Sequence, residues 1–393
     1  MTTARVLTLT QIGLNRTFTA STSTTTIGPI FAPHFTYEIP ASLTGYSDVL
    51  SLPEISSLLQ PTVPLHLDLS AIERSSDIFR AMLTHYPSAL HLQMLAYEYS
   101  GQYAKSIEIS DELQTIDTSN DLLADLTIHN SRMHILNGDF KNVNVNSALA
   151  LCEEGDDLAN ISNLLHLQGL AGSLLYLAEK DGDADKHLAS LQTATRNSHD
   201  PRIFNNYALM TYLIEGGAND VVEMLEENYD EISSNADKAS CQANITTVLL
   251  ESWSSLPEGD KQRVTLLKDA SDAGSAAIEM IDASDPPPPG HLKGRVLTVL
   301  GETYSAIGDG LTAEGLYSSA KDAFVNLESQ TPTLLSRIHL SSEEIKLYAS
   351  WERRETQTQQ LNQLIETDTN TLGQGWKQLL SSSNKKIISG LQI

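Results

Sequence analysis

The chain has 393 residues, 40% of them hydrophobic and 6% aromatic, a balance that suits helices packed through Leu and Ala rather than a core built on large rings. Its 25 Lys and Arg face 50 Asp and Glu, and this net charge of −25 argues against a groove that tracks nucleic-acid phosphates and against docking on an anionic membrane. The excess is concentrated: 13 basic and 32 acidic residues fall between 101 and 300, so that stretch carries −19 of the total.

Residues 1–37 differ in kind from the rest of the chain. They contain Arg5 and Arg16, many Ser and Thr, and no Asp or Glu. This composition resembles a mitochondrial presequence, which would form a weakly amphipathic helix over about residues 3–16. The stretch "RTFTAS" is similar to a matrix-processing site, with cleavage expected after Phe18. A hydroxyl-rich cytosolic tail is the competing reading.

Residues 38–69 hold Pro40, Pro53, Pro61 and Pro64. Proline removes backbone donors and blocks helix continuation, so an extended arm is expected there. From Ser70 the apolar residues take helical spacing, beginning with Ile72, Ile78, Phe79, Met82 and Leu83. No run reaches the roughly 18 apolar residues of a membrane span. The nearest, residues 164–178, is interrupted by His166 and Gln168.

Helical hairpins are expected in succession after that. Gly101 with Tyr103 and Gly138 with Phe140 mark turns, residues 181–183 mark another, and Gly216 and Gly217 a fourth. Gly169, Ala171 and Gly172 supply small contacts on the helix before the third turn. A longer pair joins residues 236–253 to residues 260–281, and "DPPPPG" at 285–290 separates it from the next. In that next pair Leu297, Leu300, Gly301 and Tyr304 precede Gly308, and Ala313, Tyr317 and Ala320 come after it. Gly301 and Ala320 would let the two helices approach, Tyr304 and Tyr317 would fill the space between hairpins, and Gly308 would end the first helix in a left-handed cap. One period of 34 residues later stand Leu334, Ile338, Leu347 and Trp351, with Ser341 and Glu344 spaced as a capping box for a second helix.

The Leu297 to Ala320 stretch resembles the tetratricopeptide repeat, with Leu for its Trp and Tyr for its Phe. The resemblance extends in turn placement over residues 87–369. It implies an all-α fold: an α-solenoid of about seven antiparallel helix pairs in a right-handed superhelix, whose first helices line a concave groove that holds peptides or other subunits. The expected organisation is the acid-free segment 1–37, the proline-rich arm 38–69, the repeat domain 70–370, and a C-terminal helix and tail 371–393. Asn205 and Asn206 resemble one element of the carboxylate clamp found in chaperone-docking members, but its lysines are missing: Lys293 is followed at the relevant spacing by Leu297. An acidic array would also repel an acidic tail.

Catalytic and metal signatures fare no better. In "DGDADKHLASLQ" the carboxylates Asp181, Asp183 and Asp185 start like a calcium loop, but Lys186 stands where a Gly is needed and Gln192 where a bidentate Glu is needed. "GDGLTAEG" lacks dinucleotide-loop spacing. His129 and His134 lie five apart, off a common helix face. Cys152 and Cys241, the chain's two cysteines, fall in helical stretches, which excludes a disulfide framework and fits a reducing or thiol-neutral compartment. The expectation is a non-catalytic scaffold or subunit for protein–protein interaction in a mitochondrial complex, without cofactor or metal. A cytosolic adaptor for trafficking or degradation machinery is the alternative, and a regulatory domain of an enzyme a more distant one. A basic protein segment or subunit is the expected partner, with Glu223, Glu226, Glu227 and Asp230 as a candidate acidic face.

Overall fold

The computed structural model describes residues 6–12, 15–21, 25–27, 35–37, 94, 97–98, 101–116, 120–180, 182–229, 232–284, 290–325, 327, 330–350, 355–380 and 385–393. The arm 38–69 and the helix expected from Ser70 lie outside these residues. By its internal contacts the chain divides into two compact units, residues 1–134 with 144–155, and residues 135–143 with 156–393.

The first unit begins with strands. β1 (Val6–Ile12) pairs antiparallel with β2 (Asn15–Ser21), Ile12 opposite Asn15 and Leu9 opposite Phe18, and β3 (Thr25–Ile27) pairs with β4 (Phe35–Tyr37). The helix expected over residues 3–16 is therefore not formed. Leu7-Thr8-Leu9-Thr10 alternates with period two, and β-branched Val, Thr and Ile favour the pleated strand over the helix. Beyond the strands every regular element among the described residues is helical. Here α1 (Tyr103–Ile116), α2 (Asn120–Asn137, whose last turn belongs to the second unit) and α3 (Asn146–Gly155) complete the first unit. Ser106 Oγ donates to the Met94 carbonyl (2.8 Å) and meets His129 Nε2 at 3.0 Å, while Arg132 pairs with Glu98 at 2.8 Å, so the hairpin interior is partly polar.

In the second unit a 3-10 turn at Phe140–Asn142 precedes five helix pairs: α4 (Leu158–Glu179) with α5 (Ala184–Arg196), α6 (Pro201–Glu215) with α7 (Ala218–Tyr229), α8 (Asn235–Ser255) with α9 (Gln262–Asp282), α10 (Gly290–Ile307) with α11 (Gly310–Phe324), and α12 (Thr331–Ser350) with α13 (Glu355–Thr371). Short α14 (Gln374–Leu380) and α15 (Lys385–Ile388) complete it. With α1 and α2, six pairs stand among the described residues, against about seven expected.

The helix starts are written in the sequence as Asp and Ser caps. Asp157, Asp183, Asp200, Ser234 and Asp309 each accept a backbone N–H of the following first turn, from Asn160, Lys186, Arg202, Asp237 and Thr312 respectively. The Asp183 cap shows that the calcium-like stretch serves as an interhelical turn. Cys152 and Cys241 are both buried, and burial pushes the Cys241 thiol up to about 12.

The tetratricopeptide-like pair packs as its residues suggest. A Cβ on Gly301 would lie 2.5 Å from Tyr317 Cε1, so the missing side chain seats the Tyr317 ring. Leu297, Ala313, Tyr317, Ala320 and Phe324 form one buried cluster with Leu340 and Leu347 of α12, and Tyr304 packs on it. Gly308, at φ +95°, ends α10 in the left-handed region where a glycine costs least. On α4, a Cβ on Gly169 would lie 2.7 Å from Leu191 Cγ, and one on Gly172 would run into the His187 ring of α5.

One boundary differs from expectation. Ser341 and Glu344 do not cap a second helix, because α12 runs unbroken from Thr331 to Ser350. No Gly or Pro interrupts it after Pro332, and Ser342 satisfies its hydroxyl by donating to the Ile338 carbonyl at 2.8 Å. Leu334, Ile338 and Leu347 thus share one helix, and Trp351 falls outside the described residues.

The end of the second unit returns to its beginning. Trp376 of α14 is fully buried, edge-on to Phe140 (ring centroids 5.1 Å apart), and its indole N–H is shared between the Ile135 and Leu136 carbonyls at 2.9 and 3.2 Å. Thr331 Oγ1 donates to the same Leu136 carbonyl at 2.7 Å.

Candidate functional site

The first helices of the five pairs, α4, α6, α8, α10 and α12, bury polar side chains that a purely structural repeat would fill with apolar ones: His166, Asn205, Asn206, Ser240, Asn244, Arg295, Glu302, His339 and Glu343. A buried polar group costs free energy unless it has a partner. For Asn205, Asn206, Ser240 and Glu302 a partner is the chain's own C-terminal segment, residues 385–393. Its short helix α15 packs against α8 and α12, and Ile387, Ile388 and Leu391 are buried.

Asn206 holds the segment's main chain from both sides. The Gln392 N–H donates to Asn206 Oδ1 (2.8 Å), and Asn206 Nδ2 donates to the Gln392 carbonyl (2.8 Å). The orientation of this carboxamide is fixed by His166, whose Nε2 lies 3.0 Å from Asn206 Nδ2. Burial and the nearby Arg202 hold the His166 pKa down at about 4, with Asp200 pulling the other way, so at neutral pH the imidazole is uncharged and Nε2 accepts. The Gln392 side chain is bound as well: Asn205 Nδ2 donates to its Oε1 (3.2 Å), and its Nε2 donates to Ser240 Oγ (2.8 Å).

At the other end of the segment Lys386 Nζ pairs with Glu302 Oε1 and with Glu251 Oε1 (3.2 Å). Glu302 Oε2 meets His339 Nε2 at 3.2 Å. Burial alone would raise the Glu302 pKa, but the His339 hydrogen bond and the Lys386 ammonium outweigh it and hold the carboxyl below its usual range. Burial and then the Glu302 charge push Glu343 the opposite way. Lys386 loses from burial and gains more from Glu302, Glu251 and Glu343, so its pKa is raised. Glu302, His339 and Glu343 offer ligand atoms within 4.8 Å of one another, the spacing of a metal set, and the cation at Glu302 is the Lys386 ammonium.

The residues singled out in the sequence divide between these regions. Leu297, Gly301, Tyr304, Ala313, Tyr317 and Ala320 come together at the α10–α11 contact, Gly308 forms the turn between the two helices, and Leu300 instead faces Gly274 of α9. Glu223, Glu226 and Glu227 are exposed on α7, the second helix of its pair, and Asp230 lies outside the described residues. The carboxylates around the segment are instead Glu251, Glu302 and Glu343. Asn205 and Asn206 were visible in the sequence as clamp-like residues. Their ligand was not, since it comes from 186 residues further along the chain.

No family model matches the chain, and no curated protein matches it in sequence. Among solved structures it is similar to the TPR domain of P58(IPK), at 13% identity over 78% of this chain and 84% of that one, with a TM-score of 0.19. At that score the fold rests on the chain's own helix pairs.

Proposed function

We propose that this protein is a non-catalytic helical-repeat scaffold or subunit whose first helices bind an extended or turn-forming segment of a partner protein. The observation that carries this reading is the Asn206 carboxamide, buried on α6 and bonded to both the N–H and the carbonyl of Gln392. A side chain placed to bind main chain recognises a peptide irrespective of its sequence, and the surrounding groups add selectivity.

The acidic surface has a separate role in this reading. Glu223, Glu226, Glu227 and Asp230 belong to the segment that carries most of the net charge and attract a basic partner over about 8–10 Å at physiological salt. Seating then takes place on the first helices. Purifying the native full-length protein with whatever stays attached identifies the partner. Reversing the four α7-region charges is expected to slow association and flatten its salt dependence, with little change in dissociation. Association indifferent both to salt and to the reversal removes acidic steering from the account.

The proposed setting is a mitochondrial protein complex, supported by the absence of Asp and Glu from residues 1–37. A reporter carrying those residues should enter mitochondria, and the mature chain should begin near Thr19. A reporter left in the cytosol, with an intact terminus on the native protein, decides for a cytosolic adaptor.

A further inference from the structure

The occupying segment has a pattern, Lys386-Ile387-Ile388-Ser389-Gly390-Leu391-Gln392, in which successive positions meet different constraints. Lys386 requires a cation between Glu251 and Glu302. Ile387, Ile388 and Leu391 require apolar bulk. Ser389 turns its hydroxyl back onto the Lys386 carbonyl at 2.7 Å and is itself buried, so this position requires a small side chain.

Gly390 tolerates no side chain. A Cβ there would lie 2.6 Å from Arg295 Nη2, 2.7 Å from Asn244 Oδ1 and 3.0 Å from the Ile387 carbonyl. Arg295 and Asn244 are hydrogen-bonded to each other and buried, so this wall does not yield readily. Gln392 is bound through both its main chain and its carboxamide.

The segment is also self-contained. The Gly390 N–H donates to the Ile387 carbonyl (2.9 Å) and the Leu391 N–H to the Ile388 carbonyl (3.2 Å), which closes a turn within the segment. Its hydrogen bonds to the helices reach the side chains of Asn205, Asn206 and Ser240. A turn that satisfies its own backbone and is gripped through side chains can leave without unpairing a helix.

We propose that residues 385–393 are a detachable occupant of a recognition groove, and that the groove's partner is a protein segment of the pattern Lys-apolar-apolar-small-Gly-apolar-Gln, which competes with them. This deepens the scaffold reading and rests on it. Between α14 and α15 stands the short sequence Ser381-Ser382-Ser383-Asn384. A short tether holds a ligand at an effective concentration on the order of millimolar. A free segment at about 10 μM therefore competes at roughly a hundredfold disadvantage, and a natural partner overcomes this through contacts added elsewhere.

The test uses the full-length chain and a fluorescent peptide of residues 385–393. Wild-type protein should bind the peptide weakly. The Gly390→Val chain, whose own segment is expelled by the Arg295 and Asn244 wall, should bind it at least tenfold more tightly. Peptides carrying Lys386→Gln or Gly390→Val should lose at least tenfold on that variant, and a scrambled peptide of equal charge should not bind. As a second route, a protease site placed at residues 381–384 of the full-length chain allows the segment to be cut free, after which excess peptide should exchange with it and helicity should persist.

Absence of peptide binding by a Gly390→Val chain of native helicity overturns the proposal, as does unfolding of the cleaved chain, which would make the segment integral to the core. Equal binding of all peptides of equal charge overturns the pattern. If the cleaved chain rejects the peptide yet binds a basic segment of the native partner, the pattern fails and the scaffold reading stands. If the native partner binds equally to chains with blocked and open grooves, the scaffold reading itself fails.

Discussion

Acidification from pH 7 to pH 5 should destabilise this protein through His166 in particular. The imidazole is buried beside Asn206, with its pKa held at about 4 by burial and Arg202. In the unfolded chain a histidine titrates near 6.5. A base whose folded pKa is depressed contributes full stability above its unfolded pKa, and loses it as pH falls between the two values, because there the unfolded state binds the proton and the folded state does not. The loss is about 1.4 kcal/mol per pH unit across that window, hence about 2 kcal/mol by pH 5 and about 3 kcal/mol once pH 4 is reached. His166→Gln keeps an acceptor for Asn206 Nδ2 and removes the titration. Urea unfolding of both chains at pH 7 and pH 5 isolates the effect, since the remaining titrating groups are shared. The wild-type chain should lose about 2 kcal/mol more than the variant. Equal losses would mean that His166 takes up a proton as readily in the folded state as in the unfolded one, and its role in orienting Asn206 would fall.

Two further substitutions test the packing. Gly301→Leu drives a side chain into the Tyr317 ring, 2.5 Å from where its Cβ would stand, and should cost about 1–3 kcal/mol in thermal unfolding. Gly290→Leu, at the first residue of α10, should stay within about 0.5 kcal/mol, and equal effects would refute the close crossing. Trp376→Phe keeps most of the buried ring but removes the N–H shared by the Ile135 and Leu136 carbonyls, so it should cost about 1–3 kcal/mol, and an unchanged midpoint would show that these carbonyls find other donors.

How much the sequence disclosed depends on the range of each signal. Turns at Gly101, Gly138, Gly216 and Gly308 were legible because each glycine takes a positive φ, a local requirement that leaves a local mark. Helix starts at Asp183 and Asp309 also leave a local mark, a carboxylate that accepts a first-turn N–H, although the reading of the sequence did not use it. Ser341 and Glu344 misled because their spacing matches a cap, yet both are buried in the middle of a helix, where packing rather than capping selects them. At the amino terminus, Thr and Leu in alternation were read for helix amphipathicity although their period is that of a strand. The site was legible only in Asn205 and Asn206. Glu251, Glu302 and Lys386 leave no shared local mark, since the pairing of Lys386 with Glu302 spans 84 residues and that with Glu251 spans 135.

The same spacing argument bears on what the groove can accept. Glu302 and Glu251 both pair with Lys386, and ion pairs largely removed from water favour folding only while both partners are present. A ligand without a cation at this position leaves the carboxylates uncompensated, so the groove rejects neutral segments by repulsion among its own acids as well as by lost attraction. Lys386→Gln in the full-length chain imitates such a ligand and should cost about 3 kcal/mol at neutral pH. The cost should also depend on pH with a definite sign. The depressed pKa of Glu302 means that the wild-type contact is fully present above the unfolded value near 4.3, and is lost as pH falls through the folded value. The variant keeps the His339 hydrogen bond and lacks only the Lys386 share of that effect, so it has less to lose there. Denaturant unfolding should therefore give a constant gap between the two chains from pH 8 to pH 5, narrowing as pH falls towards 3. A gap unchanged between pH 5 and pH 3 would show that Lys386 acts through the packing of its methylene stem rather than through its charge, and the groove would then have no reason to prefer a basic partner.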